Sequence, residues 1–266
     1  MKQILKIISI FILASCQTLG FNQEDPNGPV KLDLNYESFM SESWLNKAET
    51  PLINFNFFGE NIESEMFFDI NGTTIFSVND NQLSLINYDS GEVQKSYELE
   101  TSRIISGVSV GYNTFLYTDA DGVIYAHESG SGDLKWTKAL EDVVLSEILI
   151  TSTNVYVQTS SDVLYGLNLQ NGETQWSKKA QAPLLSIRGT ASPVAFEGLI
   201  FTSFSNGRLA AVREVDGIQL WEKPISRLKG STELEKLMDA DSKAVPINED
   251  VFVANYNGSL TRFNIR

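Results

Sequence analysis

A single cysteine and a single histidine stand in a chain of 266 residues. One cysteine excludes an intrachain disulfide and any cysteine-based metal site. The lone His127 has no Ser or Cys nucleophile motif beside it, so it reads as a packing or edge residue rather than a catalytic one. Basic residues are also scarce, 20 Lys and Arg against 34 Asp and Glu, for a net charge of −14. Gripping a phosphate backbone needs Lys/Arg clusters that are missing here, so nucleic acid is excluded as a partner. The acidity itself reads as solubility. There is no Gly-rich phosphate loop and no low-complexity stretch, and the apolar run Ile7 to Ala14 falls far short of a membrane span.

What the chain does have is one phrase said five times, and a period near 40 residues marks a propeller, solenoid or array. The phrase is an apolar strand, a tight turn, a second strand closing on a small residue, a polar turn with Gly, and then Trp. It reads Phe115 to Ala126, Ser131-Gly132 and Trp136; then Val155 to Gly166, Asn171-Gly172 and Trp176; then Leu199 to Ala211, Asp216-Gly217 and Trp221. A degenerate first copy runs from Ile75 to Leu85 with Ser90-Gly91, and Lys95 stands where Trp would be. A last copy begins at Val251 and reaches Phe263 before its second turn.

The fourth copy displays the unit in full: strands at 192–196, 199–204, 208–214 and 218–225, joined by Glu197-Gly198, Asn206-Gly207 and Asp216-Gly217. Asn-Gly and Asp-Gly suit hairpins because their central residues tolerate positive φ. Four antiparallel strands per unit make a propeller blade. The expectation is therefore an all-β propeller over residues 31–266, with about four to five blades. Alternation puts the small residues Gly166 and Ala211 on the face of Leu164 and Leu209, leaving room for a bulky neighbour. Trp136, Trp176 and Trp221 are assigned to that space as blade-docking residues, each with an indole N–H for a backbone carbonyl. Ligand stacking is the alternative, but a ligand needs one site rather than one per blade.

The N-terminus is a separate signal. Lys2 and Lys6 precede the short apolar run, which ends at Leu13-Ala14-Ser15-Cys16. This resembles the lipobox of bacterial lipoproteins, which implies a signal peptide over 1–15 and lipidation of Cys16. Without the two lysines the net charge becomes −16. Several acyl chains make a stable anchor where one is marginal. Residues 16–30 lack hydrophobic periodicity and read as a flexible tether. In lipoproteins of this kind, a residue other than Asp after the cysteine, here Gln17, implies the outer membrane.

From about residue 70 onward the repeats resemble the quinoprotein-type propeller family. With the lipobox, and with the segments Leu185 to Pro193 and Gly230 to Asp241, they are similar to the propeller lipoproteins of the outer-membrane β-barrel assembly machinery. That resemblance implies an eight-bladed ring, of which this chain would supply an incomplete part, either as a fragment or as an arc completed by another chain. A compact five-bladed ring is disfavoured because the last blade lacks its outer strand.

Spacing locates the expected site. The anchor turns at 81, 122, 162, 207 and 258 lie 41, 40, 45 and 51 residues apart, so the last two intervals carry insertions. Both follow a Trp-bearing strand, and insertions confined to one face of a repeat protein commonly mark its binding face. The first insertion carries Leu184, Leu185, Ile187 and Arg188. The second opens on a Thr232/Glu235 capping box, predicting a short helix to about Met238, and continues to Asp239 and Asp241. An apolar cluster beside an arginine is what an interface hot spot requires. The resemblance implies that Leu185, Ile187, Arg188, Asp239 and Asp241 contact the periplasmic domains of the barrel-forming subunit, with Ile187 where relatives carry Leu. The alternative is that the apolar pair is blade core and Arg188 pairs with the aspartates internally.

A quinoprotein dehydrogenase shares the repeat and is the competing function. It would need a calcium site, and Asp119-Ala120-Asp121-Gly122 lacks the distal bidentate Glu of a calcium loop, so it reads as turn chemistry. The expectation is a non-enzymatic, lipid-anchored scaffold with no cofactor and no metal. Its partners would be the barrel-forming subunit and unfolded outer-membrane proteins, reached in part through free strand edges.

Overall fold

The computed structural model describes residues 67–79, 81–101, 104–181, 191–225, 242–254 and 260–266. These residues form strands and turns only. The first blade comprises β1 (Phe67–Asn71), β2 (Thr74–Asn79), β3 (Gln82–Asn87) and β4 (Val93–Glu98). The second comprises β5 (Ser109–Gly111), β6 (Thr114–Thr118), β7 (Val123–Glu128) and β8 (Leu134–Ala139). The third holds β9 (Leu149–Ile150), β10 (Asn154–Gln158), β11 (Val163–Asn168) and β12 (Thr174–Lys179). The fourth holds β13 (Val194–Phe196), β14 (Leu199–Phe204), β15 (Arg208–Arg213) and β16 (Gln219–Pro224). The fifth has three strands, β17 (Val245–Ile247), β18 (Asp250–Ala254) and β19 (Leu260–Asn264). Each blade is an antiparallel meander in sequence order.

Local chemistry explains why every blade has the same outline. At the third turn the glycines Gly91, Gly132, Gly172 and Gly217 have φ of 71°, 84°, 71° and 70°, a region that costs an L side chain strain. Each glycine N–H donates to the carbonyl four residues back, as Gly172 does to Asn168 at 2.9 Å. The preceding polar residue finishes the turn: Asn171 Oδ1 accepts from Glu173 N, and Asp216 Oδ1 from Ile218 N. Just inside this turn all four complete blades shift register by a β-bulge, at Leu85/Ile86, Ala126/His127, Gly166/Leu167 and Ala211/Val212. The bulge twists the outer strand and so aims its tryptophan toward the next blade.

Each junction between successive blades is an apolar core. Phe76, Val78, Leu83 and Leu85 of the first blade meet Phe115 and Tyr117 of the second. Leu116, Ile124 and Trp136 meet Val155, Val157 and Leu167. Tyr156 and Leu164 meet Ile200, Phe204, Ala210 and Val212, and then Phe201, Leu209 and Ala211 meet Val251 and Val253. Strand alternation divides the labour: Phe115 and Tyr117 face backward while Leu116 between them faces forward. All five residues of β6 and of β10 are consequently buried.

Candidate interaction face

The tryptophans occupy two seats at once. Trp136, Trp176 and Trp221 pair across the sheet with Ala126, Gly166 and Ala211. A Cβ added to Gly166 would lie 2.5 Å from Trp176 Cε2, so the small residue makes room for the tryptophan of its own blade. The indole then extends over the next blade. Trp136 meets the space above Gly172 and Trp176 that above Gly217, where an added Cβ would come within 2.6 Å of each ring. The indole N–H groups donate to Leu169 O at 2.9 Å, Glu214 O at 3.1 Å and Ile265 O at 3.1 Å.

In the first blade Lys95 sits in the tryptophan register, opposite Leu85. Its place over the next turn is taken by Tyr97, two residues on and therefore on the same face. The Tyr97 ring lies above Gly132, and its hydroxyl donates to Gly130 O at 3.0 Å. Lys95 Nζ donates to the same carbonyl at 2.8 Å and lies 4.6 Å from the Tyr97 ring centroid. A search for Trp alone misses this substitution, whereas an aromatic residue on the same strand face reveals it.

His127 is buried at the first junction. Its ring stacks on Phe115 at 4.7 Å, Nδ1 donates to Gly132 O at 3.0 Å, and Nε2 lies 3.2 Å from Glu100 Oε2. Tyr117 donates to that carboxylate at 2.5 Å. Burial first, then the bond to Glu100, raises the Tyr117 phenol far above its ordinary value, so it stays a proton donor. Asp119 is a turn residue: it accepts from Asp121 N, Val123 N and the Tyr125 hydroxyl. Burial and then Asp119 push Tyr125 up to about 12. Among the described residues no group of three or more His, Cys, Asp and Glu is disposed to hold a metal.

Cys16, Leu185, Ile187, Arg188, Asp239, Asp241 and the helix expected near 230–238 lie outside the described residues. Their flanks are described. The connectors from an outer strand to the next inner strand run 99–108, 140–148, 180–193 and 225–244, so the two insertions occupy equivalent positions in successive blades. These connectors border a cavity of about 430 Å³ lined by Phe68, Ile105 to Val108, Leu145 to Glu147, Ser192 and Lys243. A smaller cavity of about 200 Å³ shares Val108, Glu147, Ser192 and Lys243 with it. Ser192 follows the first insertion closely and Lys243 the second, so the described residues just after each insertion, fifty apart in sequence, line one cavity.

Several polar bonds fix this face. Asp69 Oδ2 accepts from Val110 N at 2.7 Å, and Ser109 Oγ from Ile148 N at 3.0 Å, tying β1 to β5 and β5 to the connector that enters the third blade. Lys243 Nζ lies 2.9 Å from Glu147 Oε2, joining the connector before blade three to the segment before blade five. Asp142 accepts from Ser160 Oγ at 2.9 Å and from Ser161 N at 2.6 Å. Burial alone would raise its carboxyl, but these hydrogen bonds outweigh that and hold it below the usual range. Sequence reasoning located the insertions but not the cavity, which is assembled from four connectors and the first strand.

The profile of the family described as outer membrane protein assembly factor BamB matches residues 69–266. The chain belongs to the BamB family. BamB of Yersinia pestis is 30% identical over 166 residues, covering 62% of this chain and 42% of that protein. BamB of Escherichia coli K12 is 30% identical over 170 residues, covering 64% and 43%. The chain thus spans less than half the length of these BamB relatives. In structure, BamB from Moraxella catarrhalis superposes with a TM-score of 0.68 at 24% identity, over 74% of this chain and 60% of that one. The computationally designed Ika8 protein gives 0.60 at 12% identity, over 74% and 57%. Both likenesses bear on the fold alone. The BamB match extends through both lengthened connectors.

Proposed function

We propose that this protein is a non-enzymatic scaffold of outer-membrane protein assembly, held to the outer membrane by lipid at Cys16 and facing the periplasm. Its connector face binds the periplasmic domains of the barrel-forming subunit through Leu185, Ile187, Arg188, Asp239 and Asp241. The apolar residues supply desolvated area and Arg188 a charge-assisted bond, with the aspartates orienting it or meeting a basic group. Unfolded outer-membrane proteins reach the barrel-forming subunit while the scaffold holds it. The observation that supports this reading is that Ser192 and Lys243, which directly follow the two lengthened stretches, line one cavity in a chain of the BamB family.

Binding of the detergent-extracted full chain to the immobilised periplasmic domains tests it. Arg188→Glu and Asp239→Ala should each weaken binding by about tenfold or more, the size of a lost hot-spot contact. Undiminished binding by both variants rejects the assignment. The anchor has its own check: labelled palmitate should enter the wild type, and Cys16→Ser should abolish its incorporation.

A further inference from the structure

The cavity on the connector face has an unusual lining for a surface hollow. Phe68 is 66% and Leu145 38% exposed, from the first blade and the connector before the third, and Ile105 and Val108 complete an apolar wall. Ser146 lines the same cavity and is only 6% exposed, and its Oγ has no hydrogen-bond partner. The neighbouring hydroxyl of Ser106 is committed, donating to Gly107 O at 3.0 Å and accepting from Thr118 N at 2.9 Å. At the rim, Glu147 and Lys243 neutralise each other.

A buried polar atom without a partner is costly, and few survive in native proteins without a reason. Ser146 borders the cavity, and its hydroxyl can take any of the staggered χ1 wells. Apolar walls with one unsatisfied hydroxyl match a side chain with an apolar body and a polar tip. The paired rim charges favour neither an acidic nor a basic visitor. Tyr and Trp have this form, and both dominate interface hot spots because they bring large area with little loss of rotamer freedom.

We propose that this cavity is the seat of a polar-tipped aromatic side chain, Tyr or Trp, of the partner polypeptide that docks on the connector face, with Ser146 Oγ bonding its tip. The proposal rests on the function proposed above in taking that face as the docking surface. The aromatic ring enters between Phe68 and Leu145, and the backbone carrying it crosses the Glu147–Lys243 rim.

The test uses the full chain with labelled methyl groups and three side-chain mimics: p-cresol, indole and toluene. p-Cresol and indole should shift the Ile105, Val108 and Leu145 methyl resonances and bind about threefold to tenfold more tightly than toluene, the worth of one hydrogen bond. Ser146→Ala should erase that preference while leaving toluene binding and the melting temperature intact. Equal binding of all three mimics, shifts elsewhere, or a destabilised Ser146→Ala protein overturns the proposal. Leu145→Trp, at a partly exposed position, should fill the hollow and weaken binding to the periplasmic domains by about tenfold. If Arg188→Glu abolishes that binding and Leu145→Trp does not, the scaffold reading stands and the cavity proposal falls. If Leu145→Trp weakens it and Arg188→Glu does not, the seat stands and the assignment of the insertions falls.

Discussion

At the scale of single residues, stability rests on pairs of a glycine and an aromatic ring. Gly172 carries both burdens: φ of 71°, and a Cβ position 2.6 Å from Trp136 Cε3. Gly198 has a comparable φ of 77° but nothing within 4 Å of that position. Gly198→Ala should therefore cost about 1 kcal/mol, the strain alone. Gly172→Ala should cost about 2–4 kcal/mol, because the ring must also leave its seat. In a Trp136→Leu background the Gly172→Ala cost should fall toward that of Gly198→Ala. Urea unfolding of the wild type and these four variants, Trp136→Leu included, separates the terms, and equal costs at the two glycines would show that the docking contact contributes little. Tyr97 does the same work by a different bond. Tyr97→Phe keeps the ring over Gly132 but loses the bond to Gly130 O, for an expected loss of about 1 kcal/mol.

At the scale of elements, the connectors rather than the blades differ from one repeat to the next, and Asp142 shows how one is held. Its carboxylate accepts from Ser160 and Ser161 at the turn of blade three. Because folding lowers its pKa, the stabilisation is present above the ordinary carboxylate value and lost as pH falls through the lowered one. Asp142→Asn should destabilise the chain by about 1 kcal/mol at pH 7, a figure reduced for partial solvent screening. The difference from wild type should shrink as pH falls below the ordinary carboxylate range and vanish once Asp142 is protonated, leaving both side chains neutral. A pH-independent difference in thermal melts would mean that the geometry of the turn matters and the charge does not. The elements themselves were unequally legible in the sequence. The second, third and fourth strands of the four complete blades announce themselves by alternation and by Gly turns, as β14, β15 and β16 do. Inner strands are harder to read: β9 has two residues and β5 and β17 three each, too few for a period to register, whereas β13, expected at 192–196, is marked by the Glu197-Gly198 turn behind it. The cavity is illegible for a related reason, since its lining comes from Phe68 to Lys243 and converges only in three dimensions. Ser146 looks like any loop serine until its missing partner is seen.

At the scale of the whole molecule, stability is a chain of neighbour-to-neighbour junctions, as in other repeat proteins. Blades two, three and four are each sealed on both faces by apolar cores, whereas among the described residues blades one and five contribute to one junction core apiece. Their other faces keep exposed apolar residues: Phe68, Ile70 and Val93 on the first, and Val245, Ile247 and Leu260 on the fifth, the last at 72%. Opening free energy should follow this order, because local unfolding is cheapest where the fewest apolar contacts are broken. Native-state hydrogen exchange should find the amides of β6, β10 and β14 slowest, close to the global limit. Those of β2 and β18, equally central within their own sheets, should exchange about tenfold to a thousandfold faster, reflecting the loss of one core instead of two. The comparison is informative because strand position and hydrogen bonding match across the five, leaving the junctions as the difference. Uniform protection of all five strands would make the described blades one cooperative unit. Graded protection would make the connector face, whose lining runs from Phe68 in the first blade to Lys243 before the fifth, depend on its least protected ends, so that a partner bridging them should slow exchange in β2 and β18 most.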